Sequence, residues 1–381
     1  MLENIPKEFL FLEDREEDVS IIIGENGCGK STLLGYLANY HCIRGKEVIG
    51  IANSIHDKFD YYHNKLYTLK ARSGRRQIKD TIKNALKTVS IKENEQGLRN
   101  AASVLKYIGF DPAIGFKLKN FKIDFEATIS DSELISEKDK NNLLSILTKL
   151  KYDWKFKEIT WFSMYNNYYK NIESYSFTIL FPYETILKKL KIIDDIDIYL
   201  LKQNKPIPVF HASSGELALI SSIIFISTII KSRNTVILID EPENSLHPKW
   251  QREYVETLID VFYYYQPKII IATHSPMILN GAKQTIKNIS IYKADNFKFY
   301  LQKMEPNNIE ETFYQLFEIT TPENRFLSNL LVTYLNDLTA RNIDIENFRQ
   351  RIKAIERSIY DNRQKELLIK VNEIADEIYK N

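Results

Sequence analysis

The stretch VSIIIGENGCGKSTLLGYLANY (residues 19–40) joins an apolar run to a helical pattern through a glycine-rich loop. The run at 19–23 has the length and composition of a buried strand, and STLLGYLANY has those of a helix. The loop between them fits the pattern G-x-x-x-x-G-K-[ST]. Glycines let successive backbone N–H groups face a phosphate, and the helix N-terminus adds positive potential. The stretch therefore predicts a phosphate-binding loop, here called the phosphate loop (residues 24–32), in an α/β protein.

The phosphate loop carries most of the predicted nucleotide contacts. Lys30 is expected to bridge the β- and γ-phosphates of ATP, and Ser31 to place its hydroxyl on Mg²⁺. The residues of this loop predicted to bind the nucleotide are Gly24, Asn26, Gly27, Gly29, Lys30, Ser31 and Thr32.

Two further apolar runs end in polar residues: VILIDEPENSLHP (236–248) and IIIATHSP (269–276). In open parallel sheets, ligands gather at the carboxyl ends of the strands. We therefore predict that Asp240 binds Mg²⁺ and that Glu241 is the general base for the attacking water. His274 is predicted to stabilise charge on the γ-phosphate, so that Lys30, Glu241 and His274 are the candidate catalytic residues. The alternatives are a solvated acidic pair and a structural histidine.

The segment HASSGE (residues 211–216, the signature segment) opens another apolar helix. Ser213 and Gly215 offer a hydroxyl and free N–H groups at the start of that helix, where an anion is favoured. The alternative is an ordinary serine N-cap.

These four elements, in this order, resemble the ATP-binding-cassette (ABC) ATPases. The signature segment is similar to their signature motif, Glu241 to the Walker B glutamate, Glu243–His247 to the D-loop and His274 to the switch histidine. The resemblance implies a head-to-head homodimer or higher oligomer, in which Ser213 and Gly215 reach the ATP held by the other subunit. Ala212 and Glu216 stand where the transporters usually have leucine and glutamine.

The sequence DEPENSLHP, followed by ATHSP, is similar to the corresponding motifs of the AAA_15/AAA_21 group, which are relatives of the OLD, RecF and SMC heads. The stretch from IANSIHDKF to ARSGRR (residues 51–76) and the later ETFYQLFEITTPENR (311–325) also resemble ATPases encoded in bacterial anti-phage defence loci. These ATPases usually have a magnesium-linked glutamine after an early strand, and Asn53 or Ser54 could replace it here.

The predicted fold is an α/β P-loop NTPase of the ABC head type, interrupted by an inserted region. The first part of the ATPase core is placed at 1–59, an inserted lid of mixed structure at 60–205 and the second part of the core at 206–303. A helical C-terminal region at 304–381 is the candidate for docking a partner protein.

Composition and charge limit the partners. The net charge is +2 and there are two cysteines, so neither a uniformly basic surface nor a disulfide framework is expected. The N-terminus lacks the features of a signal peptide, and the apolar run 217–230 is too short to span a bilayer, which favours a cytoplasmic protein without a membrane segment.

Residues 65–87 contain eight basic residues and one acid. They could contact nucleic acid, form a solvated helix face, or bring Arg72 and Arg76 to ATP.

A second catalytic centre is not predicted. Residues 275–381 contain no D-x-D pair of the kind that OLD-type nucleases use, and the DDID at 194–197 is interpreted as a solvated turn. The leading hypothesis is an ATPase that senses a signal and regulates a partner effector, a nuclease or toxin, in anti-phage defence. The alternative is a RecF-like or SMC-like repair ATPase that binds DNA directly, and a transporter motor is less favoured.

Overall fold

The computed structural model describes residues 2, 4–11, 18–54, 57–70, 80–81, 83, 95–152, 157–164, 180–231, 234–286, 289–302, 309–317, 325–357 and 362–380. Its strands are β1 (Val19–Ile23), β2 (Glu47–Ala52), β3 (Leu66–Lys70), β4 (Asp111–Lys119), β5 (Thr160–Ser163), β6 (Asp195–Lys202), β7 (Lys205–Pro208), β8 (Thr235–Asp240), β9 (Lys268–Thr273), β10 (Ile289–Asp295) and β11 (Lys298–Leu301). Its α-helices are α1 (Lys30–Ile43), α2 (Glu95–Ile108), α3 (Glu126–Ser130), α4 (Glu137–Tyr152), α5 (Glu184–Lys189), α6 (Ser214–Ile229), α7 (Pro248–Phe262), α8 (Pro276–Thr285), α9 (Ile309–Phe317), α10 (Arg325–Thr339), α11 (Ile345–Glu356) and α12 (Asn362–Lys380).

Seven strands form the main sheet, in the order β11-β10-β1-β9-β8-β2-β3. All neighbours are parallel except β10 and β11, which form the antiparallel hairpin expected from the alternating sequence near 288–303. Because the strands are parallel, the segments that follow β1, β8 and β9 leave the sheet at the same carboxyl edge. The predicted α/β fold is confirmed.

The strands that carry the site are buried on both faces. In β1, Ile21 and Ile23 pack into one hydrophobic cluster, whereas Ile22 packs into a second cluster on the opposite face. Helix α1 covers this second face with Leu33 and Leu37. A strand covered on both faces needs apolar side chains at most positions, which explains the nearly continuous apolar runs in the sequence.

The second sheet is antiparallel, in the order β5-β4-β6-β7, and all of it except the end of β7 lies within the predicted insertion at 60–205. Its Ile114, Phe116 and Ile198 belong to the same hydrophobic cluster as Ile21 of the main sheet. Strand β3 also falls in the predicted insertion, yet it pairs with β2 as an edge strand of the main sheet. The four-part division of the chain remains a prediction, and the two sheets share one core.

The acidic segment at 194–197 differs from its interpretation as a solvated turn. Asp195 begins β6, and its carboxylate forms ion pairs with Lys83 and Lys188. Glu184 joins both lysines, so the four side chains form one charge network between α5, β6 and residue 83. The network links residue 83 to a segment about a hundred residues later in the chain.

The basic run at 65–87 is only partly described, because Arg72, Arg75, Arg76, Lys79 and Lys87 lie outside the described residues. The described lysines are engaged within the chain. Lys65 donates to the carbonyl of Gly45, Lys70 pairs with the buried carboxylate of Asp57 at 2.7 Å, and Lys83 belongs to the charge network above. Residues 66–70 form strand β3, so the start of the run is not a solvated helix face.

The C-terminal part is helical in the described residues, as predicted. Helix α9 contacts α8, while α10, α11 and α12 pack around a hydrophobic cluster of their own that includes Leu331, Phe348 and Val371. Among the described residues, no helix combines the length and hydrophobicity required to cross a membrane.

Candidate nucleotide-binding site

The phosphate loop connects β1 to α1, as the sequence predicts. Gly29 caps the N-terminus of α1 with φ 101°, in the left-handed region that favours glycine. The Lys30 ammonium is buried and donates to the carbonyls of Gly24 and Glu25 at 2.7 and 2.8 Å. The lysine therefore folds back over the loop, whereas Asn26 and Thr32 are exposed at its rim.

Asp240 ends β8 and lies against the phosphate loop. The Ser31 side chain lies close enough to the Asp240 carboxyl to lower its pKa, and the carboxylate oxygen Oδ1 is buried without a hydrogen-bond partner within the described part of the chain. Burial raises the pKa of Asp240 to about 6; Glu241 and Glu243 add to this shift, while Ser31 and Lys30 oppose it. The site thus contains excess negative charge and an oxygen that lacks a partner.

This donor set fits Mg²⁺. The ion is usually bound by one or two protein carboxylates, with water and phosphate oxygens completing its octahedron. Asp240 and Ser31 supply two oxygens of the right chemistry. Among the described residues, no group of three or more His, Cys, Asp or Glu side chains could hold a metal by itself. A nucleotide-dependent Mg²⁺ site therefore suits this edge of the sheet better than a metal held by protein ligands alone.

Glu241 follows Asp240 with φ 51°, an uncommon backbone conformation for a residue other than glycine. Its carboxylate accepts a hydrogen bond of 3.0 Å from the Asn244 side chain. Asn244 also donates to the carbonyl of Asn53, whose N–H donates to the carbonyl of Asp240. These contacts fix the direction of Glu241 and place Asn53 beside the carboxyl end of β8, where its role as a metal ligand remains a prediction.

His274 follows β9 and is held by Glu243. Oε1 of Glu243 accepts the backbone N–H of His274 at 2.6 Å and lies 3.0 Å from Nδ1 of the ring. A carboxylate only accepts hydrogen bonds, so Nδ1 carries the proton in this pair. The Glu243 side chain is 5% exposed and that of His274 is 46% exposed, so a buried carboxylate holds a partly exposed ring at Nδ1 and leaves Nε2 outside this contact.

The contact between Glu243 and His274 was missed by sequence reasoning, which placed Glu243 only in the D-loop. The signal was the third acidic residue in DEPE: a carboxylate so close to a buried strand end requires a partner.

The polar residues of the signature segment make local contacts, unlike those at the edge of the sheet. The Ser213 hydroxyl accepts the N–H of Glu216, and Oε2 of Glu216 accepts the N–H of Ser213, which together form a capping box on α6. A Cβ added to Gly215 would lie 2.5 Å from the carbonyl oxygen of Ser245, so glycine is needed where α6 approaches the segment after β8. The described contacts of Ser213 are with α6 itself and not with the phosphate loop.

Comparison with known proteins assigns the family. The family model described as "AAA domain, putative AbiEii toxin, Type IV TA system" matches residues 36–280. The chain belongs to the AAA_21 family. The match starts within α1, after the phosphate loop, and extends through the Asp240, Glu241 and His274 segments into α8. AAA_21 membership agrees with the P-loop fold of the main sheet and implies a nucleotide, usually with Mg²⁺.

Two curated relatives and a solved structure are similar to this AAA_21 protein. The "Retron Vc95 probable ATPase" of Vibrio cholerae is 31% identical over 116 residues, which are 28% of this chain and 22% of the relative. Protein ea59 of Escherichia phage lambda is 22% identical over 354 residues, 90% of this chain and 60% of the relative. The Smc head domain of Pyrococcus furiosus, bound to the C-terminal domain of ScpA, is 12% identical with a TM-score of 0.29, over 76% of this chain and 90% of that chain. The chain thus spans less than two thirds of both curated relatives.

Proposed function

We propose that this AAA_21 protein binds and hydrolyses ATP with Mg²⁺, dimerises head to head around the nucleotide, and regulates an effector in bacterial anti-phage defence. The observation that carries the nucleotide site is the contact between Ser31 and Asp240, beside the buried Lys30. It joins the phosphate loop to the acidic strand end.

Several residues of the chain have separate roles in the proposed hydrolysis. Bound Mg²⁺ would neutralise phosphate charge and orient the phosphates. Lys30 has two loop carbonyls as partners and exchanges them for phosphate oxygens when a nucleotide enters. Glu241, directed by Asn244, accepts a proton from the attacking water. His274 stabilises the charge that develops on the γ-phosphate, and Glu243 is the positioning residue that orients its ring.

The dimer is proposed because Ser213 and Gly215 stand apart from the phosphate loop of their own chain. Ser213 is exposed, and because its oxygen accepts the cap hydrogen bond, its O–H remains available as a donor. A second chain facing this one would bring that donor to the ATP on the phosphate loop.

The defence role is supported by the similarity to the retron ATPase of Vibrio cholerae. We further propose that the helical C-terminal region (304–381), in which α10–α12 pack around a hydrophobic cluster of their own, holds the effector, a nuclease or toxin. Direct binding of DNA or RNA through 65–87 gains no support from the described lysines, whose partners lie within the chain.

The test uses Glu241→Gln. The variant should bind ATP but hydrolyse it about 10²- to 10⁴-fold more slowly, because it loses the general base. Sedimentation velocity should then detect a stable dimer with ATP and Mg²⁺, and a monomer without them. Lys30→Ala is the matched control, which should neither bind ATP tightly nor dimerise. Hydrolysis at the wild-type rate by Glu241→Gln would disprove the base assignment, and a monomer under all conditions would disprove the dimer.

A further inference from the structure

The hairpin between β10 and β11 reaches the phosphate loop. β10 runs parallel to β1, and Ile23 pairs with Lys293, so the following residues continue past the sheet at the carboxyl edge. Asp295 pairs with Lys298, which leaves Asn296 and Phe297 as the two-residue turn. The tip of this hairpin therefore lies at the same edge of the sheet as the phosphate loop, on the side of β1 away from Asp240.

The aromatic residue of this turn contacts the phosphate loop directly. The N–H of Phe297 donates to the carbonyl of Cys28 at 3.0 Å. Its ring packs over Gly29, so closely that a Cβ added to Gly29 would lie 2.6 Å from Cδ1 of the ring. The turn is thus fixed to the loop by both backbone and side chain.

Phe297 has a costly conformation for a phenylalanine. Asn296 and Phe297 have φ values of 43° and 64°, as in a type I′ turn, where asparagine and glycine are favoured. A bulky residue at positive φ is a strained outlier, and such strain is concentrated at functional positions. Phe297 is nevertheless 37% exposed, so part of its surface remains available to a ligand.

We propose that the ring of Phe297 is the stacking platform for the purine base of the bound nucleotide. This inference rests on the proposed function, since it places the base of the same nucleotide whose phosphates the loop binds. The loop encloses the phosphates, and the base must lie beside it. Phe297 offers a partly exposed aromatic ring in contact with the loop at Gly29. Stacking tolerates any base because every base has a π-face, so the platform contributes affinity without selecting adenine.

The experiment distinguishes the contribution of the base to binding from that of the phosphates. Isothermal titration compares ATP, GTP and inorganic tripolyphosphate on the full chain. Phe297→Gly removes the ring and introduces a residue suited to φ 64°. It should lower the affinity for ATP and GTP about tenfold and leave the affinity for tripolyphosphate unchanged. Phe297→Trp keeps an aromatic face and should retain ATP affinity. Tyr300→Ala, on the same hairpin and exposed, is the control and should bind all three ligands as the wild type does.

Two results would overturn the inference while leaving the phosphate site intact. One is an unchanged ATP affinity in Phe297→Gly. The other is an equal loss of ATP and tripolyphosphate binding, which would mean that the ring only shapes the loop. If the wild type binds neither ATP nor tripolyphosphate, the proposed function itself fails.

Discussion

The edge of the main sheet and the start of α6 use similar polar residues in opposite ways. At the sheet edge, the contacts join segments that are far apart in sequence: Ser31 to Asp240, and Glu243 to His274. At α6, Ser213 hydrogen bonds with Glu216, three residues away, and Glu216 pairs with Lys202 at 3.1 Å. The sheet edge is assembled by tertiary structure, whereas the start of α6 is a locally complete cap that faces outward. The difference matches the proposed function, in which the sheet edge is the site formed within one chain and the start of α6 is the half that a second chain would use.

The strongest test of the formed site is a double-mutant cycle. His274→Ala should lower kcat by about a hundredfold with little change in KM, because a donor to the transition state is lost. Glu243→Ala should also lower kcat, since the ring is no longer oriented. The double variant should be no slower than His274→Ala, because Glu243 acts through the histidine.

Glu243→Gln is the conservative control in this cycle. Its amide oxygen can still accept both N–H groups of His274, so kcat should stay within a few-fold of the wild type. If the loss in kcat of the double variant equals the product of the two single losses, Glu243 does not act by positioning the histidine. The same conclusion follows if Glu243→Gln is as slow as Glu243→Ala.

Two substitutions of Ser213 distinguish its role as a helix cap from its proposed contact across the dimer. Ser213→Ala should cost about 1 kcal/mol in the free energy of unfolding, measured by urea denaturation, because the cap on Glu216 N–H is lost. Ser213→Asp keeps the cap but adds a negative charge. In the Glu241→Gln background it should abolish the ATP-dependent dimer while leaving stability nearly unchanged. A dimer that persists with Ser213→Asp would make the start of α6 a structural cap and nothing more.

The smallest effect concerns the pH dependence of that cap. Burial alone would raise the pKa of Glu216, but the hydrogen bonds from Ser213 and Lys202 outweigh it and the pKa is lowered from 4.5. Its ion-pair contribution is therefore present above pH 4.5 and is lost as the pH falls through the lowered value. Glu216→Gln preserves the capping box but cannot titrate.

The comparison of Glu216→Gln with the wild type isolates this titration. The difference in unfolding free energy between the two proteins should shrink on acidification by at most about 0.5 kcal/mol, since Lys202 is partly exposed. A difference that does not vary with pH would contradict the assigned partners of Glu216.

Much of the sheet edge could be predicted from the sequence, because each strand there is buried on both faces and ends in polar residues. The runs at 19–23, 235–240 and 268–273 carry this signal. The contact of Glu243 with His274 depends on the pairing of β8 with β9, and the approach of Phe297 depends on the pairing of β10 with β1. Neither pairing is encoded in local periodicity. The shared core of the two sheets escaped prediction for the same reason, since residues 60–205 have no motif that reveals their packing partners.

The separate hydrophobic cluster of α10–α12 has an evolutionary consequence. Leu331, Phe348 and Val371 pack against one another and belong to neither cluster of the main sheet. Substitutions in one core therefore need few compensating changes in the other. Lineages could replace or recombine these three helices while the part of the chain that carries the phosphate loop stays under its own selection.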